Sequence, residues 1–105
     1  MEYKIVRTDS SDEGIRRIIL YLAKNYGRKF ALEKLTEMEK QILLLKNQPY
    51  IGTVPRYLVL KRQGYRVLIL ERSLVFYKVD EENKTVIIYA VVDQREDYLS
   101  VIQGL

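Results

Sequence analysis

The 105-residue sequence contains no cysteine and no histidine. Without cysteine there is no disulfide scaffold, no thiolate metal site and no thiol nucleophile. Without histidine, catalytic triads, imidazole proton shuttles and His–metal clusters drop out together. The longest apolar runs, Ile18–Ala23 and Val86–Val92, are far too short to span a bilayer. The start, Met1–Asp9, carries no apolar stretch of signal-peptide length, so the cytoplasm is the expected location. No internal repeat, linker or low-complexity tract interrupts the chain. Any chemistry must therefore use Arg, Lys, Tyr, Ser, Thr or carboxylates, and no cofactor or metal is expected.

What is present suits one small folded domain over residues 1–105. Apolar residues make up 48% and charged residues 30%, enough to bury a core and keep a polar surface. The net charge of +4 points toward an anionic partner, and its distribution sharpens that. Residues 1–63 hold 13 Lys and Arg against 7 Asp and Glu, whereas residues 64–105 hold 5 against 7. Between Glu39 and Glu71 there is no acid, yet Lys40, Lys46, Arg56, Lys61, Arg62 and Arg66 all fall inside.

Tyr3–Thr8 alternates like a short strand. Ser10 and Glu13 form a capping-box pattern, and Ile15, Ile18, Ile19, Leu22, Ala23 and Tyr26 then recur at helical spacing until Gly27 stops the helix. A second helix follows on the stripe Ala31, Leu35, Met38, Ile42 and Leu45, ended by Asn47 and Pro49. A link this short predicts an antiparallel αα-hairpin, with Met38 as core filler. Tyr57–Lys61, Tyr65–Leu70, Leu74–Val79 and Thr85–Val92 read as strands joined by short polar breaks, hence an antiparallel meander. Arg95–Ile102 would form a short C-terminal helix or tail. The predicted class is α+β, with the hairpin packed on a mainly antiparallel sheet.

If Gln63-Gly64 is a hairpin loop, Lys61 and Arg66 face each other on one side of the sheet. Opposed cations repel by a few tenths of a kcal/mol up to about 1 kcal/mol. Either an exposed sheet tolerates that, or an anion such as a phosphate sits between them. Arg95 lies among Asp93, Glu96 and Asp97, where it is either a local ion-pair former or a second phosphate clamp beside Tyr98. Tyr57, Tyr65 and Tyr98 stay open as base-stacking platforms, whereas Tyr21, Tyr26, Tyr77 and Tyr89 suit packing. Glu81 and Glu82 fall in a turn and are expected to be solvated.

Taken in order, these segments resemble the RelE/ParE superfamily of type II toxin–antitoxin toxins over nearly the whole chain. The resemblance rests on the first strand, the helix hairpin, and Asn47-Gln48-Pro49-Tyr50-Ile51-Gly52 as a Pro-x-x-Gly link. It continues through Gly64-Tyr65-Arg66-Val67-Leu68-Ile69-Leu70 and the final Val91-Val92-Asp93-Gln94-Arg95-Glu96-Asp97-Tyr98. It implies a growth-inhibiting toxin neutralised by a cognate antitoxin in a hetero-oligomer. One branch cuts mRNA on the ribosome by attack of the 2′-hydroxyl on the adjacent phosphate, without a metal. In that branch Arg66, Arg95 and Tyr98 would be catalytic, and Lys61, Arg62, Arg56 and Tyr65 would bind nucleic acid. This endonuclease reading leads on sequence alone, because the acid-free stretch suits an RNA-rich target. The alternative is a ParE-like, non-enzymatic inhibitor of DNA gyrase, favoured by Tyr57 and Val59 where nucleases carry lysines and by the missing histidine. A third reading is a weakly active toxin serving antitoxin complex formation and operon autoregulation.

Overall fold

The computed structural model describes residues 2–94. Strand β1 (Lys4–Arg7) leads into helices α1 (Asp9–Tyr26) and α2 (Arg28–Leu43), and a 3-10 turn, Leu44–Lys46, closes the hairpin. A link then reaches the short helix α3 (Leu58–Arg62), followed by strands β2 (Arg66–Ile69), β3 (Ser73–Asp80) and β4 (Thr85–Asp93). The predicted α+β class holds, with two helices on a four-stranded sheet of order β1-β4-β3-β2. The pairs β2–β3 and β3–β4 are antiparallel, whereas β1 lies parallel to β4. Among the described residues no helix is long and apolar enough to cross a membrane.

Helix α1 starts two residues earlier than the Ser10 capping pattern suggests. Thr8 is the cap: its Oγ1 accepts the Ser11 N–H at 3.1 Å and donates to the Ile88 carbonyl at 2.9 Å. One hydroxyl thus fixes both the helix start and its seat on β4. The helix ends at Gly27, whose φ of 95° suits a residue without Cβ. Ile15, Ile18 and Leu22 of α1 meet Ala31, Met38 and Ile42 of α2 over Val75, Tyr77, Val86, Ile88 and Val91 of the sheet. Met38 is core, as expected.

The segment Tyr57–Lys61 corrects the sequence reading. It forms α3, not a strand, and its end explains why. The Gly64 N–H donates to the Lys61 carbonyl at 3.1 Å and the Tyr65 N–H to the Leu60 carbonyl at 3.1 Å, with Gly64 at φ 86°. This is a Schellman helix end, with Leu60 and Tyr65 packed together behind it. Leu60, Tyr65, Val67, Phe76, Ala90 and Val92 form a second buried cluster on the sheet face away from the long helices. Strand β4 serves both faces through a bulge. Phe76 pairs with Ala90 but Tyr77 pairs with Ile88, so Tyr89 is the extra residue and inside–outside parity changes there.

Candidate functional site

The link between the hairpin and α3 is fastened to the sheet at several points. Tyr77 is fully buried; its hydroxyl donates to the Pro49 carbonyl at 2.8 Å and accepts the Gly52 N–H at 3.0 Å. Thr53 and Val67 exchange two backbone hydrogen bonds of 2.8 Å, adding a bridge at the edge of β2. Arg66 supplies a further contact. Its Nη2 donates to the Tyr50 carbonyl at 3.0 Å and the Gly52 carbonyl at 2.8 Å, and its guanidinium carbon lies 5.2 Å from the Tyr50 ring centroid. The Nε of Arg66 is buried and has no hydrogen-bond partner among the described residues.

Arg66 and Lys61 do not face each other. Arg66 pairs with Tyr77 on the long-helix side of the sheet, while Lys61 is exposed in the last turn of α3. The opposed-cation pair expected from a Gln63-Gly64 hairpin is thus removed by the helix. Arg62 is exposed beside Lys61, and Arg56 is exposed in the link. Tyr65 is only 6% exposed, edge-on to Tyr89 at 5.5 Å, with Lys78 Nζ 4.6 Å from its ring centroid. Burial pushes the Tyr65 phenol above its ordinary value, with Tyr89 adding to the shift. The expected catalytic residues Arg95 and Tyr98 lie outside the described residues.

Glu81 also departs from expectation. Instead of a solvated turn carboxylate, it accepts the Tyr3 hydroxyl at 2.6 Å, the Tyr50 hydroxyl, and Lys84 Nζ at 2.8 Å. These hydrogen bonds, led by Lys84, hold the Glu81 carboxyl down at about 2. The same contact pushes Tyr50 up to about 12. A raised phenol pKa stabilises the fold fully below the ordinary phenol value near 10, and that contribution is lost as pH rises through about 12. Glu81 has the opposite sign: its contribution is present above about 4.5 and is lost as pH falls toward 2. In an alkaline titration followed by the tyrosine ring carbon resonances, Tyr50 should be among the last phenols to ionise. In Glu81→Ala it should return toward 10. An unchanged Tyr50 midpoint in that variant would refute the contact.

Nothing local marks the Glu81 cluster, since Tyr3 and Tyr50 are far from Glu81 along the chain. Among the described residues no group of three or more His, Cys, Asp or Glu side chains could hold a metal. The arrangement thus consists of a link fastened to the sheet, a guanidinium that helps fasten it, and exposed cations just before and within α3.

A family model for the ParE toxin of the type II toxin–antitoxin system parDE matches residues 5–98. No curated protein matches the chain by sequence. Among solved structures, the chromosomal ParDE toxin–antitoxin system of P. aeruginosa aligns with a TM-score of 0.72 at 18% identity, covering 88% of this chain and 96% of that one. The toxin–antitoxin complex RelBE2 of Mycobacterium tuberculosis aligns at 0.67 and 14% identity, covering 91% and 95%. A free-state mutant of the E. coli toxin RelE aligns at 0.55 and 14% identity, covering 100% and 99%. At these identities the structures speak for the fold, and the family model spans most of the chain. The chain belongs to the ParE toxin family of type II toxin–antitoxin systems, within the RelE/ParE superfamily.

Proposed function

We propose that this toxin inhibits growth as a ParE-like, non-enzymatic ligand of DNA gyrase and is neutralised by a cognate antitoxin in a hetero-oligomer. The observation that carries the choice over mRNA cleavage is the state of Arg66. A clamp on a scissile phosphate needs donors free to follow developing charge. Here Nη2 is committed to the Tyr50 and Gly52 carbonyls and Nε is buried. Breaking these hydrogen bonds, the Gly52 one partly buried, opposes swinging Arg66 out to a phosphate. Lys61, in the last turn of α3, is not a cross-strand neighbour of Arg66. The toxin–antitoxin complexes among its structural relatives support the antitoxin partner.

The reading for mRNA cleavage on the ribosome rests on the acid-free stretch between Glu39 and Glu71, which suits any polyanion. Two assays on purified toxin separate them. In a cell-free bacterial translation reaction, primer extension should find mRNA ends unchanged. In a supercoiling assay, the toxin should inhibit gyrase and trap cleaved DNA, and added antitoxin should restore activity. New ribosome-dependent mRNA ends that disappear with Arg66→Ala would overturn the gyrase reading and establish the nuclease.

A further inference from the structure

Tyr50 touches Arg66 and Glu81 at once. Its backbone carbonyl accepts Arg66 Nη2 at 3.0 Å, and its ring centroid lies 5.2 Å from the guanidinium carbon. Its hydroxyl donates to Glu81. The side chain thus runs from the turn between β3 and β4 to the guanidinium on β2. Glu81 anchors the turn end and is itself fixed, by Lys84 Nζ at 2.8 Å and by the Tyr3 hydroxyl at 2.6 Å. A ring tied at its hydroxyl to an anchored carboxylate has little freedom to leave the cation it covers.

The guanidinium beneath it has an unmet need. Arg66 Nε is buried and makes no hydrogen bond among the described residues, whereas Nη2 is shared between two carbonyls. A buried donor without a partner favours any acceptor that reaches it, and an anion of the phosphate type can take two guanidinium donors together. What keeps such an anion out is the cover that Tyr50 provides. We infer that Glu81 is a positioning residue for Arg66: by holding Tyr50 across the guanidinium, it straps that cation to the link and shuts anions out. This strap depends on the commitment of Arg66 described above, not on which target the toxin meets. A turn residue on the far side of the link thereby governs a cation on β2 through one aromatic ring.

The test titrates the full chain with inorganic pyrophosphate and follows the Arg66 Nε–H resonance together with the backbone amides. Tyr50→Phe keeps the ring and the net charge but removes the hydroxyl that Glu81 holds, whereas Glu81→Ala removes the anchor. Each variant should bind pyrophosphate about two- to fivefold more tightly than the parent, the range that an exposed charged contact supplies. The Arg66 Nε–H resonance should move on titration in both variants and stay nearly still in the parent. Arg66→Gln added to Tyr50→Phe should abolish the gain. Asn83→Ala, which breaks a 2.8 Å bond to Asp80 in the same turn, should leave the parent affinity unchanged. The amide spectra of Tyr50→Phe and Glu81→Ala keep a general loosening of the fold from passing as release of Arg66. Equal affinity in the parent and Tyr50→Phe, a gain with Glu81→Ala alone, a gain that survives Arg66→Gln, or an equal gain with Asn83→Ala would each overturn the inference. The supercoiling assay reads the gyrase proposal separately.

Discussion

Gly14→Ala is expected to destabilise the fold severely. A methyl group at this position would lie 2.1 Å from the Val91 carbonyl oxygen and 3.1 Å from its carbon. Both are backbone atoms of β4, so no side-chain rotation relieves the contact. Ordinary contact begins near 3.4 Å, so α1 would have to move off the sheet by more than an ångström. On helix propensity alone the substitution should stabilise by about 1 kcal/mol. The collision decides the sign. Overpacking typically costs about 1–3 kcal/mol, and here it also lifts Ile15 and Ile18 from the core. We expect a net loss of at least about 3 kcal/mol, a large share of the roughly 5–15 kcal/mol that holds a domain together. A urea unfolding midpoint equal to or above that of the parent protein would show that α1 does not approach β4 this closely.

The second large effect concerns Tyr77 and Gly52. Tyr77→Phe keeps the ring in the core but strips the Pro49 carbonyl and the Gly52 N–H of their buried partner. Leaving a buried group unsatisfied costs about 1–3 kcal/mol, so with two such groups a loss of about 2–6 kcal/mol is expected. Gly52→Ala should be worse. Its methyl group would meet the Tyr77 hydroxyl at 2.6 Å and the Val67 carbonyl oxygen at 2.7 Å. Pairing the two substitutions separates these contacts. The phenylalanine removes the hydroxyl but cannot move the Val67 oxygen, so the double variant should stay at least as unstable as Gly52→Ala. Full rescue would mean that the link closes on Tyr77 alone and that the Thr53–Val67 bridge is not formed.

Much of this architecture could be read locally. The helix hairpin follows from its apolar spacing and from Gly27, and three of the four expected C-terminal strands appear where their Val, Ile and Tyr content places them. Tyr57–Lys61 was misleading because Tyr, Leu and Val satisfy a strand pattern as readily as a single helical turn. The decisive sign stands at its end, where Lys61 and Arg62 precede Gln63 and Gly64, a helix end more than a hairpin. That one change moved Lys61 away from Arg66. Glu81, Tyr3 and Tyr50 meet only through tertiary structure, so no window along the chain contains their cluster. The reason for Gly14 is equally nonlocal: within α1 it looks like a mild defect, and only the approach of β4 makes it necessary. The bulge at Tyr89 likewise depends on the partner strand. Arg95 and Tyr98, where the resemblance placed catalysis, lie outside the described residues.

The parallel pairing of β1 with β4 sets Lys4 beside Thr85 and Arg7 beside Ile88. The first strand made by the ribosome must therefore wait for the last, with the helix hairpin already synthesised between them. Contacts so distant in sequence form late. During synthesis the apolar stripes of α1 and α2 have no sheet to cover, and a chain released before residue 88 cannot close the sheet at all. Nascent and prematurely ended copies therefore leave those stripes uncovered. Whatever depends on the closed sheet waits until β4 has been made.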